Sequence, residues 1–395
     1  MEYVRNSELK PSCSDWPVHM QRALNLAESV LTAWPNPRVG CVLVRGGQVI
    51  SEGWHSAAGA PHAEAMALEA AGPEAREAVA FVSLEPCAHH GKTGPCSEAL
   101  IAAGVATVVI PMQDPHPAVS GKGIAQLAEA GVEVIMMVDF EDAARAINLG
   151  FLSRVERGRP RVRMKLAMSL DGRTALSNGD SKWITDRASR RDVQLLRASS
   201  SAVLTGIGTV LADDPSLTVR PDEMGLSADQ RQCNALNLQN PPLRVVLDSA
   251  LRTPAQSNLL AAAGRVLVYS AAAAPSAELA GLENCELKVA GNEAQVQLQP
   301  VLESLASEYH CNDILVEAGP TLCAAFLRSN LVDELIVYVA PKLMGSDGKA
   351  LLDLHGIQTM ADTPTFEVIE TLQLERDVRL RLLPHVNGKS CPTAP

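Results

Sequence analysis

Two short stretches carry side chains suited to chemistry: PHAE at 61–64 and PCAHHGKTGPC at 86–96. The second sets Cys87 and Cys96 in identical Pro-Cys pairs. One imidazole, His62, and these two thiols make three donors of the types that zinc takes. A tetrahedral ion with three protein ligands keeps its fourth position for water, which is the arrangement of a catalytic site. Glu64, close behind His62, would then accept that water's proton and deliver it to a leaving amine. The same residues also admit a closed structural zinc site completed by His89 or His90, or a pair of buried thiols.

Such groups need elements to position them. PHAEAMALEAAG reads as an Ala-rich helix opened by Pro61, with His62 and Glu64 in its first turn, and PCSEALIAAG as a helix opened by Pro95. Cys96 then sits at a helix N-terminus, where partial positive charge and unsatisfied N–H groups favour the thiolate. AVAFVSLEP reads as a buried strand leading to Cys87. Upstream, WPVHMQRALNLAESVL has a helical pattern and VGCVLVRGGQVISEGWH that of a hairpin turning at Gly46-Gly47; VATVVIP downstream is a further strand. This alternation predicts a layered α/β domain.

At 154–163 the text becomes RVERGRPRVR, whose five arginines, with Gly158 and Pro160, read as a solvated linker. The expected domains are therefore 1–157 and 158–395. The second repeats the α/β alternation through VRMKLAMSLDGRT, TDRASRRDVQLLRASS, SAVLTGIG, LRVVLDS, RVLVYS, DILVEAGP and ELIVYVAP. KLAMSLDGRT and VEAGPTL place small residues at strand ends, where open α/β sheets bind ligands. The turn Gly319-Pro320-Thr321 could offer N–H groups to a phosphate, or could be an ordinary strand–helix connection. TGIGTVLADDP has Gly206 and Gly208 but Val210 and Leu211 beyond, so a dinucleotide fingerprint of the GxGxxG type is excluded. Residues 221–242 lack periodicity and read as a surface insertion or lid, and the chain from Leu383 as a loose tail.

Composition bounds the function. Hydrophobic residues at 47% and charged residues at 20% are globular values, and aromatics at 3% leave the cores to aliphatic side chains. Acidic residues outnumber basic ones in both halves, with a net charge of -11, which opposes generic nucleic-acid binding. No signal-peptide pattern and no membrane-length apolar run is evident, and nine irregularly spaced cysteines do not suggest a disulfide framework; a soluble, cytoplasmic protein with reduced thiols is expected.

PHAE followed by PCAHHGKTGPC resembles the cytidine-deaminase-like zinc hydrolases, whose HxE…PCxxC signature is here lengthened between the cysteines. That long form, with WPNPRVGCVLV at 34–44, is similar to the deaminase half of the bacterial bifunctional riboflavin-biosynthesis deaminase-reductases. KLAMSLDGRTA, SKWIT, RRDVQLLRASS, TGIGTVLADDPSLTVR, LDS and VEAGPTL resemble the reductase half. The resemblance implies an α/β fold with a cytidine-deaminase-like three-layer N-terminal domain and a dihydrofolate-reductase-like C-terminal domain. It implies Zn2+ on His62, Cys87 and Cys96, Glu64 as proton carrier, and Asn36, His55, His89 and Lys92 near the pyrimidine or its ribose phosphate. In the second domain it implies NADPH against Ala167, Trp183, Thr209, Asp213, Ser249 and the run Gly319, Pro320, Thr321, Leu322, Cys323, Ala324 and Ala325. Substrate would meet Ser181, Arg197, Leu217, Arg220 and Glu317; the guanidinium forks of Arg197 and Arg220 suit a phosphate. Lys165 and Asp213 are candidates for polarising or protonating the reacting centre. The expected activity is zinc-dependent deamination of a diaminopyrimidinone ribosylamine phosphate, followed by reduction of its ribose by NADPH. The rivals are a nucleic-acid or nucleoside deaminase fused to a non-catalytic nucleotide-binding domain, and a zinc-stabilised binding module. The expected partners are the small-molecule substrate and further copies of the chain, with no nucleic acid and no membrane.

Overall fold

The computed structural model describes all residues except 9–12, 90–93, 273–275, 293, 387–388 and 391–395. The chain divides into two units: Met1–Arg157 with Ser227–Gln239, and Gly158–Leu226 with the residues from Asn240 onward.

The first unit contains β1 (Glu2–Val4), α1 (Trp16–Glu28), β2 (Gly40–Arg45), β3 (Gln48–Trp54), α2 (Ala63–Ala71) and β4 (Val79–Val82). It continues through α3 (Cys96–Ala103), β5 (Thr107–Ile110), α4 (Lys122–Glu129), β6 (Glu133–Met137), α5 (Glu141–Ile147) and α6 (Leu149–Arg157). Its sheet runs β1-β6-β5-β4-β2-β3, parallel from β1 to β4 and antiparallel across β2 and β3. Side chains alternate across a strand, and here both faces are apolar. Leu43, Ala80, Val82, Val108 and Ile110 face α2, α3 and α4, while Val42, Phe81, Val109 and Ile135 face α1, α5 and α6. The result is a three-layer sandwich, and covering both faces explains why these strands read as continuous apolar runs. The hairpin turns at Gly46 and Gly47, whose φ values of 58° and 78° are those of the turn that matches strand twist. Gly53 lets α2 lie directly on β3: a Cβ there would fall 2.2 Å from Ala63 O.

The second unit begins with β7 (Arg161–Ser169), β8 (Arg173–Ala175), α7 (Arg187–Ala198), β9 (Ala202–Gly206) and α8 (Ile207–Asp213). After α9 (Ala228–Cys233) and α10 (Ala235–Gln239), which belong to the first unit, it resumes with β10 (Leu243–Leu247), α11 (Asn258–Ala261), β11 (Val266–Ser270), α12 (Ala277–Ala280) and β12 (Cys285–Val289). Then come β13 (Gly291–Asn292), β14 (Gln295–Val296), α13 (Leu298–Ser307), β15 (Asp313–Val316), α14 (Pro320–Arg328), β16 (Glu334–Ala340), β17 (Lys349–Ala350), β18 (Phe366–Leu374) and β19 (Asp377–Val386). The main sheet has the order β12-β11-β10-β9-β15-β7-β16-β19-β18, parallel up to β16 and antiparallel beyond. No described helix is long and apolar enough to cross a membrane.

Two expectations about connecting segments are corrected, and a third gains detail. Three of the arginines of 154–163 are not solvated: Arg159 makes two hydrogen bonds to Asp333, Arg161 pairs with Glu334 at 2.6 Å, and Arg163 is buried among Leu196 O, Ser199 and Ser200. Their partners lie at the start of β16 and at the C-terminal end of α7 and just beyond it, so a basic run in sequence becomes a set of buried ion pairs and hydrogen bonds. Within 221–242, Ser227–Gln239 holds two short helices, with a capping box at Ser227, and belongs to the first unit; most of its side chains are exposed, as in a surface insertion. The chain from Leu383 is no loose tail up to Val386; it continues β19, and Leu383 is buried.

Candidate active sites

His62 caps α2 in extended conformation, one residue earlier than the first turn expected, so its side chain points off the helix end while Glu64 lies on the second helical residue. Cys96 is the first residue of α3. Cys87 sits on the segment leaving the C-terminal end of β4, and its carbonyl accepts from both N–H and Oγ of Ser97, which ties that segment to the start of α3. His62 Nδ1 lies 3.2 Å from Cys96 Sγ and 3.5 Å from Cys87 Sγ, and the three donor atoms fall within 4.8 Å of one another. Donors around a tetrahedral zinc, with bonds of about 2.0–2.3 Å, stand about 3.5–3.8 Å apart, so the donor set and its spacing fit that ion. His89 is exposed and is not part of this group; His90 and Lys92 lie outside the described residues.

The electrostatics correct one expectation. The N–H of Cys96 that opens α3 points at Cys87 Sγ, 3.4 Å away, and the Cys87 thiol, hydrogen-bonded by Cys96 and His62, is lowered to about 4. Cys96 itself is pushed up, because Cys87 and burial oppose a second negative charge. The helix terminus therefore directs this N–H at the sulfur of the neighbouring cysteine rather than at its own. His62 is raised, chiefly by its hydrogen bond to Cys87. Glu64 is 3% exposed, and burial, with the nearby Cys87 charge, pushes its carboxyl up to about 7.

Beside these groups, His55 Nδ1 lies 3.0 Å from Pro61 O, and its Nε2 lies 2.9 Å from Asn36 Nδ2. A carbonyl accepts, so Nδ1 carries the hydrogen and Nε2 receives one from the amide: the ring is neutral, in keeping with a pKa that burial lowers. Its centroid is 5.0 Å from that of His62. Sequence reasoning overlooked Glu85, two residues before Cys87. It is buried, and its carboxylate accepts the N–H groups of Asp114, Gly121, Gly123 and Ile124 at 3.0–3.3 Å, which pins the loop from Asp114 to the start of α4. An acidic residue ending a buried apolar strand was its signal.

In the second unit a cavity of about 1710 Å³ opens at the C-terminal ends of β7, β9, β10 and β15. Ala167, Trp183, Thr209, Asp213, Ser249, Gly319, Pro320, Thr321, Leu322 and Ala325 line it, as do Ser181, Arg197, Leu217, Arg220, Glu317 and Lys165. Cys323 and Ala324 do not: both are fully buried on the inner side of α14. Gly319 caps α14, whose Pro320 start leaves the helix N-terminus facing the cavity. Trp183 is exposed, with the Arg190 guanidinium 4.5 Å above its ring. Arg197 lines the cavity with a largely buried side chain. Its Nε and Nη2 donate to the two oxygens of Glu317 at 2.5 and 3.1 Å, and Nη1 donates to Thr218 O. Lys165 Nζ lies 3.8 Å from the same carboxylate. Burial would raise Glu317, but Arg197 and Lys165 outweigh it and hold the carboxyl low; burial lowers Lys165. Arg220 is the more open guanidinium, half-exposed and paired with Glu223 at 3.2 Å.

Residues 15–112 match the cytidine and deoxycytidylate deaminase zinc-binding region, and residues 160–380 match the RibD C-terminal domain. Over 372 residues the chain is 45% identical to the riboflavin biosynthesis protein RibD of Escherichia coli strain K12, covering 92% of this chain and 98% of that protein. The RibD of Haemophilus influenzae is 43% identical, with 93% and 97% covered. Among solved structures, Acinetobacter baumannii RibD superposes with a TM-score of 0.84 at 43% identity, covering 93% of this chain and 98% of that one. A diaminohydroxyphosphoribosylaminopyrimidine deaminase/5-amino-6-(5-phosphoribosylamino)uracil reductase from Thermotoga maritima superposes at 0.79 and 32% identity, with 94% and 99% covered. Two matched domains, one metal-type donor set and one large strand-end cavity agree, and the chain belongs to the RibD family of bifunctional deaminase-reductases of riboflavin biosynthesis.

Proposed function

We propose that the first unit hydrolyses the exocyclic 2-amine of a diaminopyrimidinone ribosylamine phosphate and that the second reduces the product's ribosyl group to ribityl with NADPH. The convergence of His62, Cys87 and Cys96 beside a buried Glu64 carries this reading. Zinc bound by those three side chains would acidify a water and hold it for attack. Glu64 takes the proton from that water and gives one to the departing nitrogen, so a C–O bond replaces the C–N bond and ammonia leaves. A carboxyl pushed up to about 7 suits this work, because it exchanges protons readily near neutral pH. Asn36, oriented by the neutral His55 ring, stands toward the pyrimidine side of the site in this reading, and the assignment of His55, His89 and Lys92 to substrate rests on the family resemblance.

In the second unit the helix start at Gly319–Thr321 would take a phosphate of NADPH, with Thr209, Asp213, Ser249 and Trp183 against other parts of the cofactor. Bound there, NADPH would supply a hydride to the anomeric carbon of the ribose as its bond to the ring oxygen breaks, and that oxygen needs a proton. Lys165, lowered by burial and facing the cavity, is the donor this reading favours over Asp213. Glu317 and Arg197 orient it, while Arg220 and Ser181 reach toward the substrate phosphate. Free thiols at Cys87 and Cys96 agree with a reducing cytoplasmic setting. A homo-oligomer is proposed, with Val368 and Leu372 exposed on β18, the last strand of its sheet.

Glu64→Gln tests the deaminase half. Zinc content should equal that of the wild type, while ammonia release falls by about a hundredfold or more. Retained deamination would refute the mechanism.

A further inference from the structure

Ser227–Gln239 lies in the sequence among elements of the second unit, yet it belongs to the first. Two asparagines on it are placed at the substrate-side loops of the first unit. Asn234, between α9 and α10, is 1% exposed, and its carboxamide is fully engaged. Oδ1 accepts the N–H of Leu31 at 2.7 Å, and Nδ2 donates to Ser29 O and Gln230 O, both at 3.0 Å. One turn later, Asn237 Nδ2 donates to Ser56 O at 2.7 Å. Ser29 and Leu31 lie where α1 ends and the chain runs on to Asn36. Ser56 directly follows His55. The two loops that these asparagines grip are thus the ones that carry the Asn36–His55 pair.

We propose that Asn234 and Asn237 are positioning residues for deamination: they fix the two loops against each other and so set where Asn36 and His55 stand relative to His62. The inference rests on reading the first unit as the deaminase. An amide is the group that can do this, because the loops present one N–H and two carbonyls, which need an acceptor and donors on neutral side chains. A carboxylate at 234 would face Ser29 O with no hydrogen to give. The segment that precedes Gly158 then holds the deaminase chemistry but not the clamp, which is encoded about seventy residues downstream.

The test uses the full-length chain. Asn237→Ala removes one half-buried side chain, and Asn234→Ala removes three buried hydrogen bonds. Asn36 stands on the substrate side of the site in this reading, so loosening its loop removes binding common to the ground and transition states, and KM for deamination should rise about tenfold in Asn237→Ala and further in Asn234→Ala, with kcat within about twofold. Zinc stoichiometry, and NADPH oxidation with the deaminated pyrimidine, should match the wild type. Amide hydrogen exchange should quicken at residues 29–38 and 54–57 in both variants. Unchanged KM with unchanged exchange at those loops would overturn the proposal, and so would loss of zinc with kcat falling and KM constant, which marks a merely structural role. If the wild type releases no ammonia, the deaminase reading fails by itself. Exchange confined to the two loops would still support the clamp, and unchanged exchange would overturn it.

Discussion

Glu64 in the first unit and Glu317 in the second are both buried carboxyls facing a functional site, yet they are displaced in opposite directions. Burial and the Cys87 charge push Glu64 up to about 7, whereas Arg197 and Lys165 overcome burial and hold Glu317 ionised. Among the described residues the first site sets a proton-holding acid beside three donors whose spacing fits zinc, an ion that would bring its own positive charge. The second site is polarised by the chain itself, through a Lys–Glu–Arg cluster that requires no ion. One site is thus arranged around metal-type donors, and the other around an internally paired charge cluster at the edge of a large cavity.

The strongest test of that contrast is to take the cation away. Chelation of zinc, or Cys87→Ser, should abolish ammonia release, a loss of at least about a thousandfold if the ion supplies the nucleophile. NADPH oxidation with the deaminated pyrimidine should stay at the wild-type rate. Parallel loss of both activities would show that the second site also depends on the ion.

Glu317→Gln probes the other side. It leaves Arg197 and Lys165 without their anion in a buried place, a change that costs about 3 kcal/mol where a buried pair loses one partner. Reduction should fall about a hundredfold while deamination and zinc content hold. A reductase rate near that of the wild type would mean that the cluster only stabilises the sheet, and circular-dichroism melting of the same sample would show the stability change by itself.

The residues that the sequence revealed and those it hid differ in how far away their partners lie. His62, Cys87 and Cys96 were readable because each stands next to a proline that starts a helix or ends a strand, so local signals placed all three. The alternating strands of both sheets were readable for the same reason. The arginines at 159, 161 and 163 looked solvated because Asp333 and Glu334, which bury two of them, lie far downstream. Asn234 had no local signal at all, since its partners are Ser29 and Leu31. The two cysteines part company at closer range: the helix N-terminus was expected to act on its own Cys96, but the N–H that opens it points at Cys87. Direction, rather than position along the chain, decided that case. The bidentate pairing of Arg197 with Glu317 had no local signal either, because that partner lies far downstream.

The smallest effect sharpens the comparison through acid stability. Glu334, on β16, is 1% exposed; burial would raise it, but Arg161, Arg381 and Arg163 hold it below its ordinary 4.5. A lowered carboxyl contributes stability that is present above 4.5 and lost as pH falls through the folded value. Asp114 in the first unit is the reverse case, pushed up to about 6 from 3.8 chiefly by burial. Its contribution is present below 3.8 and lost as pH rises through about 6. Each group can tilt stability by at most about 1.4 kcal/mol per pH unit. Denaturant titrations between pH 3 and 7 should therefore show that Glu334→Gln flattens the loss of stability on the acid side, and that Asp114→Asn removes a decline on the neutral side. Slopes of the same sign for the two variants would contradict the opposed electrostatics of the two units.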